Sequence, residues 1–466
     1  MRVKFYLIVL LAGLASCSSE KKKPVSIQSW ITTPDRTKQL TQQPDLVFGS
    51  EAGTGLTIEV DTSRTYQSID GFGFALTGGS AMLLKTKLTD EARAALLEEL
   101  FLTKENGIGI SYLRITIGSS DLDELIFTYN DLPPGETDTD LSKFTLAYDT
   151  LYLIPVLKEI LKLNPSLKIM GSPWSPPVWM KTNGFAKGGS LKKEYYNVYA
   201  DYFVHYIDAM ANHGIAIDAI TIQNEPENPN NTPSLVMAAE EQNEFIKNHL
   251  GPAFREAGIK TKIVLFDHNA DHPEYPITIL NDSETKPFVD GSAFHLYLGE
   301  IDALSKVHEA HPDKNIYFTE QWTSGRGDFG GDLRWHVKNL IIGATRNWSR
   351  TVIEWNLAAD ENFNPHTPDG GCDSCQGALT LGNTITRNVS YYIIGHASRF
   401  VPTGSVRIES GMVNELPNVA FRTPKGQMVL IVVNDKDETV SFAIGYGGQK
   451  ATATLAGGAV ATYVWN

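Results

Sequence analysis

Two short segments of the sequence place a glutamate directly after a run of apolar or β-branched residues. Residues 219–227 read A-I-T-I-Q-N-E-P-E and contain Glu225, and residues 316–322 read I-Y-F-T-E-Q-W and contain Glu320. Each glutamate has an amide or aromatic neighbour. A pair of carboxyl groups can hydrolyse a glycosidic bond, because one donates a proton to the leaving oxygen while the other attacks the anomeric carbon. These two glutamates are therefore the first candidates for catalysis.

Other interpretations of the carboxylates must be weighed beside this one. A lone glutamate at a strand end is usually solvated or caps a helix. Glu354 lies within an apolar run and could compete, or it could simply be paired with an arginine, whereas Glu227 is better interpreted as loop support. The sequence has no metal motif, and G-F-G-F-A-L at 71–76 lacks the third glycine of a dinucleotide fingerprint. We therefore predict neither a metal nor another cofactor.

Both glutamates belong to a series of short β-rich runs that alternate with segments of helical periodicity, such as residues 195–213 and 238–250. Such alternation predicts a parallel sheet, and eight units close into a (β/α)8 barrel whose active face lies at the carboxyl ends of the strands. The eight runs are 68–76, 112–121, 167–174, 219–226, 262–268, 289–297, 316–322 and 351–356.

The ends of these runs carry polar and aromatic residues that would meet at the barrel mouth. They are Asp121, Trp174, Asn224, Glu225, Asp267, His268, His295, Tyr297, Glu320, Trp322, Trp355 and Asn356. Tryptophans are often core residues, but four of them at or just past strand ends, Trp179 included, favour stacking against sugar rings. His295 and Tyr297 are two apart on one strand and share a side, which could be the ligand side or the interior.

From about residue 396 the pattern changes to short alternating segments with turn residues, which predicts the antiparallel strands of a β-sandwich. The early segment G-L-T-I-E-V-D at 55–61 is expected to pair into the same sandwich. The predicted domains are an N-terminal part of the sandwich at 27–65, the barrel at 66–394 and the C-terminal part at 395–466.

The N-terminus predicts an exported protein. A basic start, a short apolar run and the ending L-A-S-C resemble a bacterial lipoprotein signal over residues 1–17, in which Cys17 becomes lipidated. Residues 18–26 would then be a polar tether, and the anchor would lie in the outer membrane, on its periplasmic or its cell-surface face. The alternative is a short anchor helix with an incidental cysteine.

Charge and cysteine content narrow the choice of partners. The 466 residues carry 40 basic and 54 acidic side chains, and the net charge of -14 argues against nucleic acid and anionic surfaces and favours a neutral ligand. Apart from Cys17, only Cys372 and Cys375 remain, with His366 nearby. A zinc site needs more ligands, so the two thiols form a small disulfide loop or a free pair.

Several motifs in their order along the chain are similar to those of glycoside hydrolase family 30, which includes lysosomal glucosylceramidase and microbial endo-β-1,6-glucanases. The similarity runs from about residue 66 to the final strands, and S-P-W-S-P-P-V-W-M-K-T-N-G is its most specific part. The motifs are Q-S-I-D-G-F-G-F-A-L-T, G-S-P-W-S-P-P-V-W-M-K-T-N-G, G-S-L-K, Q-N-E-P, F-H-L-Y, F-T-E-Q-W and E-W-N-L-A.

This resemblance implies a role for each matching residue. Glu225 would be the general acid/base and Glu320 the nucleophile of a retaining double displacement, and Asn224 would hold the sugar 2-hydroxyl. The predicted sugar-binding residues are Asp121, Trp174, His295, Tyr297, Trp322 and Trp355. Retention predicts that the two carboxyl groups lie about 5 to 5.5 Å apart, and about 9 Å would contradict it.

The substrate interpretation depends on the loop after Q-N-E-P. The run E-N-P-N-N-T-P-S-L-V-M is shorter than the corresponding insertion of animal glucosylceramidases and resembles the β-1,6-glucanase branch. A short loop would leave the cleft open, which favours endo-acting hydrolysis of a neutral β-1,6-glucan. The alternatives are a glucosylceramide-type or exo-β-glucosidase, and a non-catalytic glycan-binding lipoprotein. The presence of both glutamates argues against the last.

Overall fold

The structure is a computed structural model that describes residues 1–4, 25–49 and 55–466. Cys17 and most of the predicted signal and tether lie outside the described residues. No helix within the described ranges has the length and apolar character needed to cross a membrane.

The described part of the chain enters the fold through three strands, β1 (Ser26–Thr32), β2 (Thr41–Val47) and β3 (Thr57–Ser68). Strand β1 alternates exposed and buried side chains over its first half, as expected for a strand with one face on a core. None of the three joins the barrel. Strands β1 and β2 pair with each other, and β1 and β3 also pair with strands from the other end of the chain.

Eight parallel strands then form a closed barrel. They are β4 (Gly71–Leu76), β5 (Tyr112–Ile117), β6 (Lys168–Pro173), β7 (Ala219–Thr221), β8 (Lys262–Ala270), β9 (Val289–Gly299), β10 (Asn315–Glu320) and β11 (Ser349–Asn356). The lumen contains a layer of inward side chains from seven of these strands, including Tyr112, Met170 and Tyr317. The barrel is therefore packed below its mouth, and only the carboxyl ends of its strands can hold a ligand.

Helices surround the barrel and present an apolar face to it. They are α1 (Gly78–Thr86), α2 (Asp90–Phe101), α3 (Leu153–Leu163), α4 (Tyr196–Asn212), α5 (Ala239–Phe245), α6 (Gly251–Glu256), α7 (Glu274–Leu280), α8 (Ala303–Ala310), α9 (Phe329–His336) and α10 (Val389–Ser398). A π-helical segment, Ile246–Leu250, joins α5 to α6, and another, Val337–Ala344, continues α9. Helix α2 begins after Thr89, whose hydroxyl accepts the N–H of Ala92.

Two irregular segments build one side of the barrel mouth. Residues 118–152, between β5 and α3, contain neither helix nor strand and carry Asp121. After β11 the chain forms a small three-stranded sheet from β12 (Ala358–Ala359), β13 (Leu379–Leu381) and β14 (Ile385–Arg387). The segment between β12 and β13 contains the two cysteines. These loops, and not the barrel strands, set the depth of the mouth on this side.

The chain ends in six strands, β15 (Val406–Ser410), β16 (Asn418–Arg422), β17 (Met428–Val433), β18 (Val440–Tyr446), β19 (Gln449–Leu455) and β20 (Val460–Trp465). With β1 to β3 they form a nine-stranded sheet in the order β19-β18-β3-β15-β16-β17-β20-β1-β2. A bridge between Gly49 and Lys450 brings the two edges together. This sheet encloses its own core, which includes Ile27, Phe442 and Trp465. The predicted barrel with a sandwich built from both chain ends is confirmed.

The sandwich packs firmly against the barrel. The core that surrounds the barrel extends to Phe421 of β16 and Ile431 of β17. At the junction, His396 of α10 is fully buried, and its ring nitrogens lie 2.9 Å from Thr462 Oγ1 and 2.8 Å from Thr32 Oγ1. Burial lowers the pKa of His396 to about 3, so the imidazole is neutral and joins the two chain ends to the barrel through hydroxyl contacts.

Candidate active site

The carboxyl ends of the barrel strands surround a cavity of about 360 Å³. Most of the predicted site residues line it, and Asn224 and His295 lie buried among them. The lining residues are Asp121, Trp174, Glu225, Asn228, Asn231, Asn269, Tyr297, Leu298, Glu320, Trp322, Trp355, Cys372 and Cys375. The strand ends therefore converge as the barrel prediction required.

A buried arginine that the sequence analysis did not single out lies at the centre of the site. Arg114 projects from β5 into the barrel and is fully buried. Its guanidinium donates to Glu320 Oε2 at 2.5 Å, to Asp267 Oδ2 at 2.7 Å and to Asn224 Oδ1 at 2.7 Å. A guanidinium donates in several fixed directions at once, so one side chain positions the nucleophile candidate, a supporting carboxylate and the amide that is predicted to bind the sugar.

Glu320 is the last residue of β10 and points into the cavity, where nearby donors partly compensate its negative charge. Besides the bond from Arg114, the Tyr297 hydroxyl donates to its Oε1 at 2.9 Å. Burial raises the pKa of Glu320, and the positive charges of His295 and Arg114 oppose the rise. Both oxygens thus have donors that favour the ionised form, as an attacking carboxylate requires.

Glu225 follows β7 in a left-handed backbone conformation, with φ of 47°. Its N–H donates to Asp267 O at 2.9 Å. Its Oε2 accepts from Asn228 Nδ2 at 2.7 Å, and its Oε1 lies 3.2 Å from His295 Nδ1. Such a conformation is costly for a residue with a side chain and persists only where its surroundings hold it. The fold thus holds this glutamate at a fixed angle to the cavity.

His295 connects the carboxylates. It is fully buried, and its Nε2 lies 3.1 Å from Asp267 Oδ1 while Nδ1 faces Glu225. An imidazole that meets a carboxylate at each nitrogen must carry both protons to donate to both. Burial lowers the pKa of His295, but the charges of Glu320, Asp267 and Glu225 outweigh this and raise it to about 9. The resting site therefore holds a proton beside Glu225.

The same contacts determine the charge state of Glu225. Burial raises its pKa, but the neighbouring imidazoles of His268, 3.8 Å from Oε1, and His295, 3.2 Å from Oε1, outweigh burial and hold the pKa below its usual range. In the ligand-free protein the acidic proton thus lies on His295 and not on Glu225. Asp267 behaves similarly, since Arg114 and His295 overcome burial and lower its pKa.

The distances from His295 also limit how far apart the two glutamates can be. Nδ1 lies 3.2 Å from Glu225 Oε1 and 3.9 Å from Glu320 Oε1. Those two oxygens are therefore separated by no more than about 7 Å, which excludes the separation of about 9 Å that would contradict a retaining pair. One imidazole thus lies against both catalytic candidates.

Aromatic residues form the wall on the Asp121 side. Trp174 and Trp355 stack with ring centroids 5.3 Å apart, and the Arg114 guanidinium lies 4.8 Å from the Trp174 ring centroid. Trp174 is almost fully buried and its indole N–H has no acceptor among the described residues, so it belongs both to the packing and to the cavity wall. Trp322 is half-buried at the rim. Trp179 lies elsewhere, and its N–H donates to Asn130 O.

Asp121 is a buried acid in this wall. Burial, followed by the charges of Glu320 and Glu225, raises its pKa to about 8, while the backbone N–H groups of Asp121 and Cys372 oppose the rise. At neutral pH its carboxyl group is therefore protonated and can both donate to and accept from sugar hydroxyls. A neutral acid also avoids adding a further negative charge beside the two glutamates and Asp267.

Other sequence interpretations have different outcomes. Glu354 is buried, but its partner is His336 at 2.8 Å and not an arginine. Glu227 lies 2.8 Å from His272 on the loop, in agreement with a supporting role. The ligand side proves to be the side that His295 and Tyr297 share. The cysteines are bonded to each other, so of the two predicted states the structure has the disulfide.

One group of possible metal ligands occurs within the cavity. Ligand atoms of Glu225, His268 and His295 all lie within 4.8 Å of one another. A metal would need an unprotonated His295 Nδ1, whereas the contacts of that ring with Asp267 and Glu225 favour its protonated form. The arrangement is better matched to holding a proton than to holding a metal.

Comparison with known proteins agrees with this geometry. The Glycosyl hydrolase family 30 TIM-barrel domain matches residues 69–401, and the family 30 beta sandwich domain matches residues 404–463. The chain is 38% identical over 371 residues to the endo-1,6-beta-D-glucanase of Neurospora crassa, with 77% of this chain and 75% of that protein covered. It is 28% identical over 449 residues to the lysosomal acid glucosylceramidase of Mus musculus, with 90% and 85% covered. The solved structure of the endo-beta1,6-glucanase BT3312 has a TM-score of 0.88 and 34% identity, over 94% of this chain and 99% of that chain.

The raised pKa of Asp121 predicts a pH dependence. Asp121 loses its proton as pH rises through about 8, and the new charge beside both glutamates should lower kcat/KM for a β-glucoside. We expect Asp121→Asn, which stays neutral, to lower affinity but to move the basic limb of the pH profile upwards. The measurement is kcat/KM from about pH 5 to 10, since this ratio reports the free enzyme.

The matched control for this profile is Asp123→Asn. Asp123 is also buried, two residues further along, and does not line the cavity. Its variant should keep the basic limb of the unmodified protein. If Asp121→Asn has its basic limb at the same pH as the unmodified protein, a group other than Asp121 determines that limb.

Proposed function

The chain belongs to glycoside hydrolase family 30, and we propose that it is an endo-acting, retaining hydrolase of β-1,6-glucan. The observation that carries the mechanism is that Glu225 and Glu320 lie 3.2 Å and 3.9 Å from the same imidazole nitrogen of His295, in a cavity with tryptophan walls. The substrate is supported by relatives named as endo-1,6-glucanases and by the short loop after Glu225.

In the first step, a Glu320 oxygen attacks the anomeric carbon as the bond to the leaving sugar breaks, and Glu225 protonates the leaving oxygen. Arg114 and Tyr297 hold Glu320 for this attack. In the second step, Glu225 removes a proton from water, the water oxygen bonds to the anomeric carbon and Glu320 is released. Because each step inverts the carbon, the product retains the configuration.

The proton for the first step comes from His295. Its Nδ1–H faces Glu225 Oε1, so transfer along this contact makes Glu225 the acid. Once Glu320 is esterified its negative charge is lost, and with it one of the contributions that raise the pKa of His295. His295 then stays neutral until Glu225 takes the proton of water and returns it. The shared proton thus allows Glu225 to act as acid and then as base.

An open rim supports endo action. The loop after Glu225 is short and polar, and its residues Asn228 and Asn231 line the cavity where the leaving sugar would lie. Leu298 and Trp322 lie at the same rim, and Leu298 is 59% exposed. Such a mixed rim can bind the faces and hydroxyls of further sugar units. The second candidate is a glucosylceramidase-like activity, which the likeness to the mouse enzyme and the apolar Leu298 favour.

We also propose that the protein is exported and lipid-anchored in the outer membrane through Cys17. Support comes from the charged start, the apolar run and the L-A-S-C ending of residues 1–17. The net charge of -14 supports a neutral glycan as the partner and argues against nucleic acid.

The substrate is tested by product analysis with linear β-1,6-glucan and glucosylceramide side by side. We expect an early ladder of β-1,6-linked oligosaccharides from the glucan, because an endo enzyme cuts at internal bonds. Early glucose alone would mean an exo enzyme, and cleavage of the lipid only would favour the glucosylceramidase candidate.

The catalytic roles are tested with variants of the two glutamates. Glu320→Gln should abolish turnover while keeping substrate binding. Glu225→Ala should lower glucan hydrolysis by about 10²- to 10⁴-fold, the usual contribution of a general acid, but spare the first step for aryl glycosides with good leaving groups. Added azide should then give a β-glycosyl azide. Glu227→Gln is the matched control, and an equal loss on all substrates would contradict the role of Glu225.

The anchor is tested by labelling a bacterial host that expresses the full chain with a radioactive fatty acid. We expect label and membrane association for the unmodified protein and for Ser18→Ala, and neither for Cys17→Ser. Label that persists without Cys17 would refute the anchor.

A further inference from the structure

A short segment between β12 and β13 forms part of the cavity wall. We call residues 371–376, G-C-D-S-C-Q, the cysteine loop. A disulfide joins Cys372 to Cys375 across two intervening residues, and both cysteines line the cavity. Cys375 is buried and packs with Trp174 and Trp355. The disulfide thus lies directly against the proposed sugar pocket.

The cysteine loop is attached on one side to the continuation of the nucleophile strand. Cys375 forms an antiparallel bridge with Ser324, Gly325 N donates to Ser374 O at 2.9 Å, and Gln376 N donates to Thr323 O at 3.0 Å. The loop is therefore joined by an isolated β-bridge and two backbone hydrogen bonds to residues 323–325, a few residues after Glu320. Any movement of the cysteine loop would therefore displace residues 323–325, which follow the nucleophile candidate Glu320.

On its other side the cysteine loop meets Asp121. The backbone N–H of Cys372 favours the charged form of the Asp121 carboxyl group, and Asp121, Cys372 and Cys375 line the same cavity. Just before the loop, Thr367 N donates to Asp121 O at 2.8 Å. Leu122, the next residue after Asp121, packs in the same cluster as Cys375, so the cysteine loop lies directly against the segment that carries this acid.

Global stability does not explain the disulfide well. In the chain-entropy model a crosslink stabilises more when it closes a longer loop, and this one closes a very short loop. Its location between Asp121 and the nucleophile strand gives a local reason for it instead.

We propose that the Cys372–Cys375 disulfide positions Asp121 for sugar binding and forms part of the pocket wall. This inference rests on the proposed function, and it adds that substrate affinity depends on the redox state of the two cysteines. In the reduction, one phosphine and one water convert the disulfide to two thiols: the S–S bond breaks, the water supplies both protons and its oxygen, and the phosphine gives up two electrons and becomes its oxide. The freed loop then no longer holds Cys372 and Cys375 in place in the cavity wall beside Asp121.

The test uses the full chain with Cys17→Ser, in which Cys372 and Cys375 are the only thiols. Glu320→Gln is added so that binding of gentiobiose, a β-1,6-linked glucose disaccharide, is measured without turnover. Calorimetry compares the oxidised protein with protein reduced by a phosphine and alkylated. We expect affinity about tenfold weaker after reduction, within the usual range of coupling between groups in contact, and full recovery when unalkylated protein is reoxidised.

Two control variants distinguish the loss of Asp121 positioning from a general loosening of the pocket. Cys372→Ser/Cys375→Ser should match the reduced protein and ignore the reductant. In Asp121→Asn the effect of reduction should shrink, because the group that the loop positions has been changed. The melting temperature of each form shows whether the fold survives. Equal affinity in the oxidised and reduced forms, or a reduction effect that is undiminished in Asp121→Asn, would overturn the proposal.

The outcome also separates this inference from the proposed function. If the Glu320→Gln protein binds gentiobiose in a redox-dependent way but the chain with Glu320 intact does not hydrolyse β-1,6-glucan, the function fails and the positioning role stands. If β-1,6-glucan is hydrolysed but gentiobiose binding does not depend on the redox state, the proposed function stands and the positioning role of the disulfide fails. Absence of gentiobiose binding in both states would overturn the positioning role.

Discussion

The ion cluster around Arg114 is the constraint on which the site depends. Three carboxylates, Glu320, Asp267 and Glu225, lie within a few ångströms of each other in a buried barrel mouth, and their mutual repulsion and desolvation would each disfavour ionisation. Arg114 donates directly to two of them, and His295 carries the second positive charge. Buried charges of this kind are tolerated only with close partners and good geometry, so the strands that provide them cannot shift independently.

The cluster holds two positive groups and three carboxylates. The proton on His295 is therefore shared with the carboxylates that surround the ring and does not belong to one residue alone. His295 lies against both glutamates and Asp267, and loss of charge at any one of them changes its hold on the proton. In the proposed mechanism, esterification of Glu320 is such a loss. The same contacts that stabilise the resting cluster would then also change the protonation of Glu225 at the step that requires Glu225 to act as a base.

The eight strands and the two glutamates could be predicted because they depend on local patterns, namely apolar runs that end in polar residues. Arg114 could not, since a lone arginine inside an apolar run gives no sign of which carboxylates it will meet; its inward position in β5 was the only signal. Asn228 was hidden for a similar reason, because its contact with Glu225 depends on how the loop turns. The histidine partner of Glu354 comes from a neighbouring helix, and sequence spacing does not encode that contact.

Chemistry and substrate choice are built from different parts of this fold. The reacting carboxylates and Arg114 lie on or directly after barrel strands, whose positions are fixed by packing and by the closed hydrogen-bonded sheet. Asp121 and the cysteine loop lie on long connections, which can change without disturbing the barrel. Relatives named for a β-1,6-glucan and for a glucosylceramide match 77% and 90% of this chain. Because Asp121 and the cysteine loop lie on long connections outside the barrel strands, the proposed hold of the disulfide on Asp121 bears more on sugar binding than on the bond-breaking step.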